Sequence, residues 1–140
     1  LATMNNPFFD VSPIEIEDDN VSYTIHTIRK LREMYDKDTE FYFITGADAI
    51  CDLETWKDVE TLLKLCKFIA GTRPGHSTKE ITQKIQELEK KYNSSIRRMD
   101  SPALAISSTD IRKKVKAGQS IRYLLPEAVE HYIYKNGLYT

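Results

Sequence analysis

Hydrophobic positions along this chain alternate between short continuous apolar runs and longer stretches that repeat with the period of a helix. Strands are predicted where the runs are short and bounded by turn residues, over 41–45, 68–72 and 94–100. Helices are predicted where the apolar residues form one stripe, over 22–35, 58–66, 78–92 and 125–137, and from the hydroxyl cluster at 107–109 onward. Strands that alternate with helices indicate an α/β fold with a mostly parallel sheet.

The stripes also predict which side chains face the core. In the first helix, which Ser22 is expected to cap, the inward face is Thr24, Ile28, Leu31 and Tyr35; in the second it is Val59, Leu62, Leu63 and Cys66; in the third it is Ile81, Ile85, Leu88 and Tyr92. The last helix has Pro126 near its first turn and Gly137 just past its end, which is the usual arrangement of these two residues.

The first residues of the chain follow weaker patterns. The stretch 11–18 alternates Ile14 and Ile16 with glutamates, which predicts a half-buried strand, and Pro13 places that strand at an edge or a start. Residues 1–6 resemble the tail of a helix that ends before Pro7. We therefore expect the chain to begin within a domain rather than at the start of one.

Composition limits the class of protein. A chain of 140 residues suits a single α/β domain over 1–140, and 41% hydrophobic residues with 29% charged ones suit a globular, cytoplasmic protein. The net charge of -1 gives no overall attraction to nucleic acid or membranes, so any anion site must be local. Cys51 and Cys66 lack metal-ligand spacing, and we expect both to be reduced packing residues.

Three polar segments follow or precede predicted elements at one edge of the sheet. They are "TGAD" after the first main strand, "TRPG" after the next, and "ISST" before a helix. Ligands of open α/β sheets bind beyond the carboxyl ends of the strands, so these segments are expected to form the site. There Gly46 would let a ligand approach the backbone, and Asp48 would accept hydrogen bonds; the alternative is a plain turn that Asp48 caps.

The helix start at Ser107, Ser108 and Thr109 is a candidate anion site. Unpaired backbone N–H groups and the helix dipole meet there, and the guanidinium of Arg112 follows one turn later. The alternative is an ordinary N-cap followed by a solvated face of lysines, and on local physics alone that interpretation is favoured.

Trp56 is the only tryptophan of the chain, and it lies in the polar stretch "DLETWKD" rather than on an apolar stripe. A tryptophan in such a place can stack on an aromatic ring of a ligand, or it can simply pack over a loop. Arg73 ends a strand near the same edge, where it can pair with phosphate or remain a surface residue. The three histidines form no triad and no metal pattern.

Taken in order, the motifs resemble those of bacterial nicotinate mononucleotide adenylyltransferases. The matching segments are "SYT" at 22–24, "GAD" at 46–48, "TW" at 55–56, "RPG" at 73–75, "ISSTDIR" at 106–112 and the ending "YLLPEAVEHYIYKNGLY". "ISSTDIR" alone indicates only the nucleotidylyltransferase superfamily, whereas the whole set in this order is specific to the nicotinate enzymes. The resemblance covers nearly the whole chain.

The resemblance implies a Rossmann-like nucleotidylyltransferase fold and a reaction. The family transfers AMP from ATP to nicotinate mononucleotide, which gives nicotinic acid adenine dinucleotide and pyrophosphate in NAD biosynthesis. Mg²⁺ is expected as the cofactor, held mainly by the ATP phosphates rather than by protein ligands. The expected partners are these two nucleotides, with no nucleic acid and no membrane.

The resemblance also implies roles for residues at matching positions. Thr24, Trp56, Lys57 and Arg73 are expected in the mononucleotide pocket, where Trp56 would stack on the nicotinate ring and the backbone near Lys57 would face its carboxylate. The residues expected to bind ATP are Gly46, Asp48, Ser107, Ser108, Thr109 and Arg112. This resemblance reverses the preference for a plain cap at the helix start.

One departure from the family is large. The family's G-x-F-x-P-x-H-x-G-H stretch has no counterpart in this sequence, so no catalytic residue is assigned and the domain is expected to be N-terminally incomplete. Residues 1–140 alone are then expected to catalyse AMP transfer only slowly. Strands 41–45 and 68–72 are expected to have unpaired edges, which favour a homo-oligomer or pairing with a partner segment.

Two alternatives to this function remain open. One is a non-catalytic nucleotide-binding or interaction module that keeps the cleft without the histidines. The other is a different adenylyltransferase of the superfamily, such as the pantetheine phosphate enzyme, against which Trp56 and the RPG loop argue.

Overall fold

Parallel strands with helices between them form the framework of the chain, as a computed structural model shows. The structure describes residues 1–17, 21–72, 78–100, 102 and 106–140, so Arg73 and the RPG loop lie outside the described residues. The chain divides into two units, the larger being Pro13–Ala103 and the smaller Leu1–Ser12 with Leu104–Thr140.

The larger unit contains a parallel sheet of three strands, β1 (Tyr42–Gly46), β2 (Lys67–Thr72) and β3 (Ile96–Asp100). They lie in the order β1-β2-β3, with Ile44 opposite Ile69 in the first pair. The predicted strands and their parallel pairing are confirmed. The expectation that 68–72 has an unpaired edge is wrong, because β2 is hydrogen-bonded to a strand on each side.

Four helices and one 3-10 turn of the larger unit connect and flank these strands. They are α1 (Thr24–Met34), α2 (Ala47–Cys51), the 3-10 turn Leu53–Thr55, α3 (Val59–Leu65) and α4 (Thr78–Tyr92). The predicted stripes hold where the core is deepest, since Leu62, Leu63, Ile81, Ile85 and Leu88 are all buried. In α1 the stripe is shifted: Ile25 and Ile28 are buried, whereas Tyr35 is exposed.

Burial differs sharply between the two apolar strands. Phe68 and Ala70 on β2 are fully buried, whereas Ile69 between them is only half-buried, because successive side chains project to opposite faces of the sheet. Burial alternates along β1 as well, but at a higher exposure on each face: Phe43 is half-buried and Ile44 is 64% exposed. The prediction that 41–45 is a buried strand is therefore wrong for one of its two faces, because among the described strands only β2 pairs with it.

Two predictions near the chain start are also wrong. Residues 14–17 form a turn rather than a strand, in which the N–H groups of Ile16 and Glu17 both donate to the carbonyl of Pro13. Ile16 is 87% exposed, so the alternating isoleucines do not form the buried face of a strand. Residues 1–6 form successive turns rather than the end of a regular helix.

The smaller unit contains α5 (Ser108–Lys116) and α6 (Glu127–Lys135) around a small core of Val115, Ile121 and Ile133. Both predicted helices are confirmed. Gly137 follows α6 with a φ of 56°, a conformation that glycine adopts without strain. The N–H of Leu138 then donates to the carbonyl of Ile133, which ends the helix at the predicted place.

The predicted cap of α1 and the packing of one cysteine need correction. Tyr23, not Ser22, is the residue at the N-cap, and the hydroxyl of Ser22 instead lies 3.5 Å from the carbonyl of Glu15. Both cysteines are free thiols, but only Cys66 is buried; Cys51 is exposed at the end of α2. Along the described ranges, no helix combines the length and the apolar character that a bilayer crossing requires.

Candidate functional site

A cavity of about 260 Å³ lies in the larger unit between two short chain segments. One wall is 22–24, which leads into α1, and the other is 55–57, which runs from the last residue of the 3-10 turn towards α3. Three residues predicted to bind the mononucleotide, Thr24, Trp56 and Lys57, line this cavity together. The fourth, Arg73, lies outside the described residues.

Trp56 connects the cavity to the hydrophobic core. Its ring meets Phe43 edge-on with 5.7 Å between centroids, and it meets Phe68 at 6.3 Å. The side chain is half-buried and packs against the core, while it also lines the cavity. Trp56 thus packs on side chains of two strands rather than over a loop, and this support holds its ring at the cavity wall.

Lys57 and Tyr23 link the two walls across the cavity. The ammonium of Lys57 lies 4.2 Å from the centre of the Tyr23 ring, a distance at which a cation is attracted to an aromatic face. Sequence reasoning singled out Thr24 and Lys57 but missed Tyr23, although "SYT" places it beside Thr24. The missed signal was an aromatic residue between two hydroxyl residues at a helix start.

Carboxylates flank the wall 55–57 on both sides. Glu54 accepts hydrogen bonds from Lys84 and Lys91 of α4, both at 2.6 Å, and these contacts lower the pKa of Glu54 to about 2. Asp58 pairs with Arg29 of α1 at 2.7 Å. The pKa of the Asp58 carboxyl is lowered, mainly by a hydrogen bond with Thr61 and to a smaller extent by the charge of Arg29.

Gly46 and Asp48 lie where β1 passes into α2. The φ of Gly46 is -72°, which any residue can adopt, so the glycine is not required by the backbone conformation. A Cβ placed on Gly46 would meet nothing within 4 Å, so open space adjoins this stretch of backbone. Asp48 lies in the first turn of α2, whose N-cap residue is Gly46.

The start of α5 shows a capping role for one of its hydroxyls and places a second beside Arg112. Ser107 is the N-cap, and its Oγ accepts the N–H of Asp110 at 3.1 Å, so this hydroxyl does act as an ordinary cap. Arg112 extends along the same helix face, where its Nη2 lies 3.3 Å from the hydroxyl of Thr109. The guanidinium and this second hydroxyl are thus side by side.

A second cavity, of about 370 Å³, lies within the smaller unit beside α5. It is lined by Thr109, Arg112, Lys113, Lys116, Tyr139 and Thr140. Where the structure describes the chain, no carboxylate lies within ion-pair distance of Arg112 or of the α5 lysines. Such a cluster of positive charge suits an anion, and sequence reasoning missed the contribution of the chain end at 139–140.

A third cavity, of about 420 Å³, lies at the amino ends of the strands and is a poor candidate. Its charged groups already have partners within the protein: Arg32 donates to the carbonyls of Leu65 and Thr39, and Lys67 pairs with Glu40. In parallel α/β sheets the ligand sites lie at the opposite, carboxyl ends of the strands.

No metal cluster marks the described part of the chain, and the thiol of its buried cysteine is a poor nucleophile. Within the ranges described above, no three histidine, cysteine or acidic side chains come together as metal ligands would. Burial raises the pKa of the Cys66 thiol to about 11, so it stays protonated near neutral pH and is a poor nucleophile.

Comparison with known proteins gives a consistent set of relatives. The family model for cytidylyltransferase-like proteins matches residues 1–114. Proteins named probable nicotinate-nucleotide adenylyltransferase are 50% identical over 139 residues in Thermoanaerobacter sp. (strain X514) and in Moorella thermoacetica. Each alignment covers 99% of this chain, which spans 66% and 64% of the length of those two relatives.

Solved structures agree on the fold. The nicotinic acid mononucleotide adenylyltransferase of Plasmodium falciparum complexed with APC matches with a TM-score of 0.63 and 24% identity, over 86% of this chain and 60% of that chain. The same enzyme complexed with NaAD matches with the same TM-score, over 58% of its length. This similarity confirms the predicted α/β nucleotidylyltransferase fold.

Proposed function

The chain belongs to the cytidylyltransferase-like family, and we propose that its protein transfers AMP from ATP to nicotinate mononucleotide. The products are nicotinic acid adenine dinucleotide and pyrophosphate, and the reaction serves NAD synthesis. Relatives at 50% identity carry the name of this activity, which supports the proposal. Because the chain spans less than two thirds of those relatives, the activity is proposed for the protein as a whole.

The observation that carries the proposal is the cavity of the larger unit. Thr24, Trp56 and Lys57 come from two separate parts of the sequence, and they line one space of about 260 Å³. That volume is below the usual range for drug-sized ligands, so it suits a pyridine ring and its immediate substituents rather than a whole dinucleotide. Trp56 would stack on this ring, and the backbone near Lys57 would face the carboxylate.

Helix α5 would bind the triphosphate of ATP. Its first backbone N–H groups, the hydroxyls of Ser107, Ser108 and Thr109, and the fork of Arg112 offer donors to phosphate oxygens. Gly46, beside open space, and Asp48 would contact the nucleotide. Arg73, outside the described residues, would border the mononucleotide.

Mg²⁺ is the cofactor that we propose for this reaction. We expect the ATP phosphates, rather than protein ligands, to hold most of this ion. When bound, such an ion would offset the negative charge on the triphosphate.

In the proposed reaction a phosphate oxygen of the mononucleotide attacks the α-phosphorus of ATP, and pyrophosphate leaves. No covalent protein intermediate is needed, so catalysis rests on positioning the two substrates and on stabilising charge. No histidine pair of this sequence has the H-x-G-H spacing. We therefore expect residues 1–140 to bind the mononucleotide but to catalyse AMP transfer to it only slowly.

The test combines a binding measurement with an activity measurement. Because Trp56 is the only tryptophan, nicotinate mononucleotide is expected to quench its fluorescence saturably. Formation of nicotinic acid adenine dinucleotide is then followed by chromatography, in the complete protein and in the 140-residue chain.

Two results would contradict the proposal. Adenylation of phosphopantetheine in place of the mononucleotide would assign the protein to the pantetheine branch of the superfamily. Binding of both nucleotides without any AMP transfer by the complete protein would identify a non-catalytic module.

A further inference from the structure

The cavity wall 55–57 is held at both ends by acidic residues that do not themselves line the cavity. Glu54 precedes the wall and Asp58 follows it. The two carboxylates bind different helices, Glu54 to α4 and Asp58 to α1. The three residues between them are thus fixed against two separate parts of the larger unit.

Glu54 makes more contacts than its position in a short turn requires. One carboxylate oxygen accepts from Lys84 Nζ at 2.6 Å, and the other accepts from Lys91 Nζ at 2.6 Å and lies 3.3 Å from the hydroxyl of Tyr92. All three donors come from α4, so they join the turn to that helix. Only 32% of the Glu54 side chain is exposed, which strengthens these pairs relative to fully solvated ones.

Asp58 ties the two walls of the cavity to each other. Its partner Arg29 lies on α1, the helix whose first residues form the opposite wall at 22–24. The backbone of Asp58 is left-handed, with a φ of 50°, which is uncommon for a residue other than glycine. The ion pair at 2.7 Å therefore holds a turn of unfavourable backbone conformation immediately after Lys57.

Apolar packing alone does not fix this wall. Leu53 is fully buried and Trp56 rests on Phe43 and Phe68, which anchors the side of the segment that faces the core. The solvent side carries Lys57, whose ammonium reaches Tyr23 across the cavity. The carboxylates of Glu54 and Asp58 restrain the backbone at both ends of this segment.

We propose that Glu54 and Asp58 are positioning residues, which orient Trp56 and Lys57 for the mononucleotide by fixing the backbone between them. The identity of the ligand rests on the function proposed above, whereas the positioning of the wall does not. Neither carboxylate touches the substrate in this proposal, because neither lines the cavity.

Three variants test the proposal: Glu54→Gln, Asp58→Asn and the two combined. Glutamine and asparagine keep the size of the side chains but lose the charge, and asparagine tolerates the left-handed conformation at position 58. The matched control is Glu60→Gln, which removes an exposed pair with Lys64 at 2.6 Å within α3; neither residue lines the cavity.

The first measurement needs no ligand. Acrylamide quenching reports how exposed Trp56 is, and we expect the double variant to quench more readily than the wild-type protein or the Glu60→Gln control. Thermal unfolding is recorded in parallel. A purely structural role predicts a lower melting temperature with unchanged quenching below it, and that result would overturn the proposal.

The second measurement is the affinity for nicotinate mononucleotide. Partly exposed ion pairs contribute little, so each single variant is expected to weaken binding by a factor of about 1.5 to 5. Arg29→Lys, which keeps a cation for Asp58, is expected to bind more tightly than Arg29→Gln. Equal affinity in all variants would contradict the positioning proposal. Absence of binding by the wild-type protein would contradict the proposed function instead. In that case the acrylamide comparison still decides the positioning role.

Discussion

The two units of the chain treat their charged side chains in opposite ways. In the larger unit, lysines and arginines meet carboxylates from other elements, as in the contacts of Glu54 with α4 and of Asp58 with α1. In the smaller unit, the described carboxylates leave the cations of α5 without ion-pair partners, although four of the nine residues in that helix are basic.

This difference separates a cavity that suits an aromatic ring from a cavity that suits an anion. The cavity of the larger unit has an aromatic wall on a buried core, so it can recognise a ring, and its ion pairs restrain the wall instead of facing the ligand. The cavity beside α5 has hydroxyls and unpaired cations, so an anion would complete it. Four predictions test this contrast, from the largest expected effect to the smallest.

Removing the support beneath the aromatic wall should have the largest effect. Phe68 is fully buried and contacts both Phe43 and Trp56, so Phe68→Ala should lower the free energy of unfolding by about 3–5 kcal/mol. Urea denaturation followed through Trp56 fluorescence measures this loss. Ile44→Ala on exposed β1 is the control and should change stability little. A loss of stability as large as that of Phe68→Ala would contradict the assignment of Phe68 to the buried face and of Ile44 to the exposed face.

Truncating the wall itself should act on one substrate. Trp56→Ala is expected to weaken binding of nicotinate mononucleotide by on the order of 1–3 kcal/mol, because base–aromatic stacking is lost. ATP binding by the complete protein should change much less. Calorimetric titration measures both affinities. Trp56→Phe keeps an aromatic face, so its affinity for the mononucleotide should lie between those of the wild-type protein and Trp56→Ala. Equal losses for both nucleotides would argue against a stacking role.

Changing the shape of a cation without changing its charge tests the other site. Arg112→Lys should weaken binding of ATP and pyrophosphate by about 1.5 kcal/mol, since the planar fork loses a charge-assisted hydrogen bond. Arg122→Lys in the same unit is the control, because Arg122 lies over the Tyr123 ring at 5.1 Å and does not line the α5 cavity. Unchanged ATP affinity in Arg112→Lys would contradict the phosphate-binding role and favour an ordinary helix cap at the start of α5.

The smallest effect concerns the ion pairs of the wall at low pH. The folded protein lowers the pKa of Glu54 from 4.5 to about 2, so this contact contributes stability that is present above pH 4.5 and is lost as the pH falls towards 2. Urea midpoints of the wild-type protein and Glu54→Gln should therefore differ by a constant amount above about pH 5 and converge below pH 4.5. A difference at pH 2 as large as the one above pH 5 would contradict the assigned pairing.

Local patterns predicted the elements whose own residues decide their structure. The stripe of Ile81, Ile85 and Leu88 identified α4, because apolar residues at helical spacing have one stable way to be buried. Ser107 was recognised as a helix start, since a cap forms between residues three positions apart. The same reasoning failed over 14–17, where alternation suggested a strand but Pro13 begins a turn.

Contacts between distant residues were beyond the reach of these patterns. The half-buried state of Trp56 depends on Phe43 and Phe68, which lie 13 and 12 positions away and approach it only when β1 and β2 pair. The role of Tyr23 depends in the same way on Lys57. The exposure of Ile44 depends on which strands flank β1, and an apolar run does not encode this.

The sequence by itself determined the α/β order of elements, the family resemblance and most of the candidate residues, because these follow from local spacing and from motifs. Only the tertiary structure decided that Thr24, Trp56 and Lys57 share one cavity, that Glu54 and Asp58 restrain its wall, and that the cations of α5 lack carboxylate partners among the described residues. The physical reason is that cavities and ion pairs are properties of side chains brought together from different elements, and their positions are set by the packing of the whole unit.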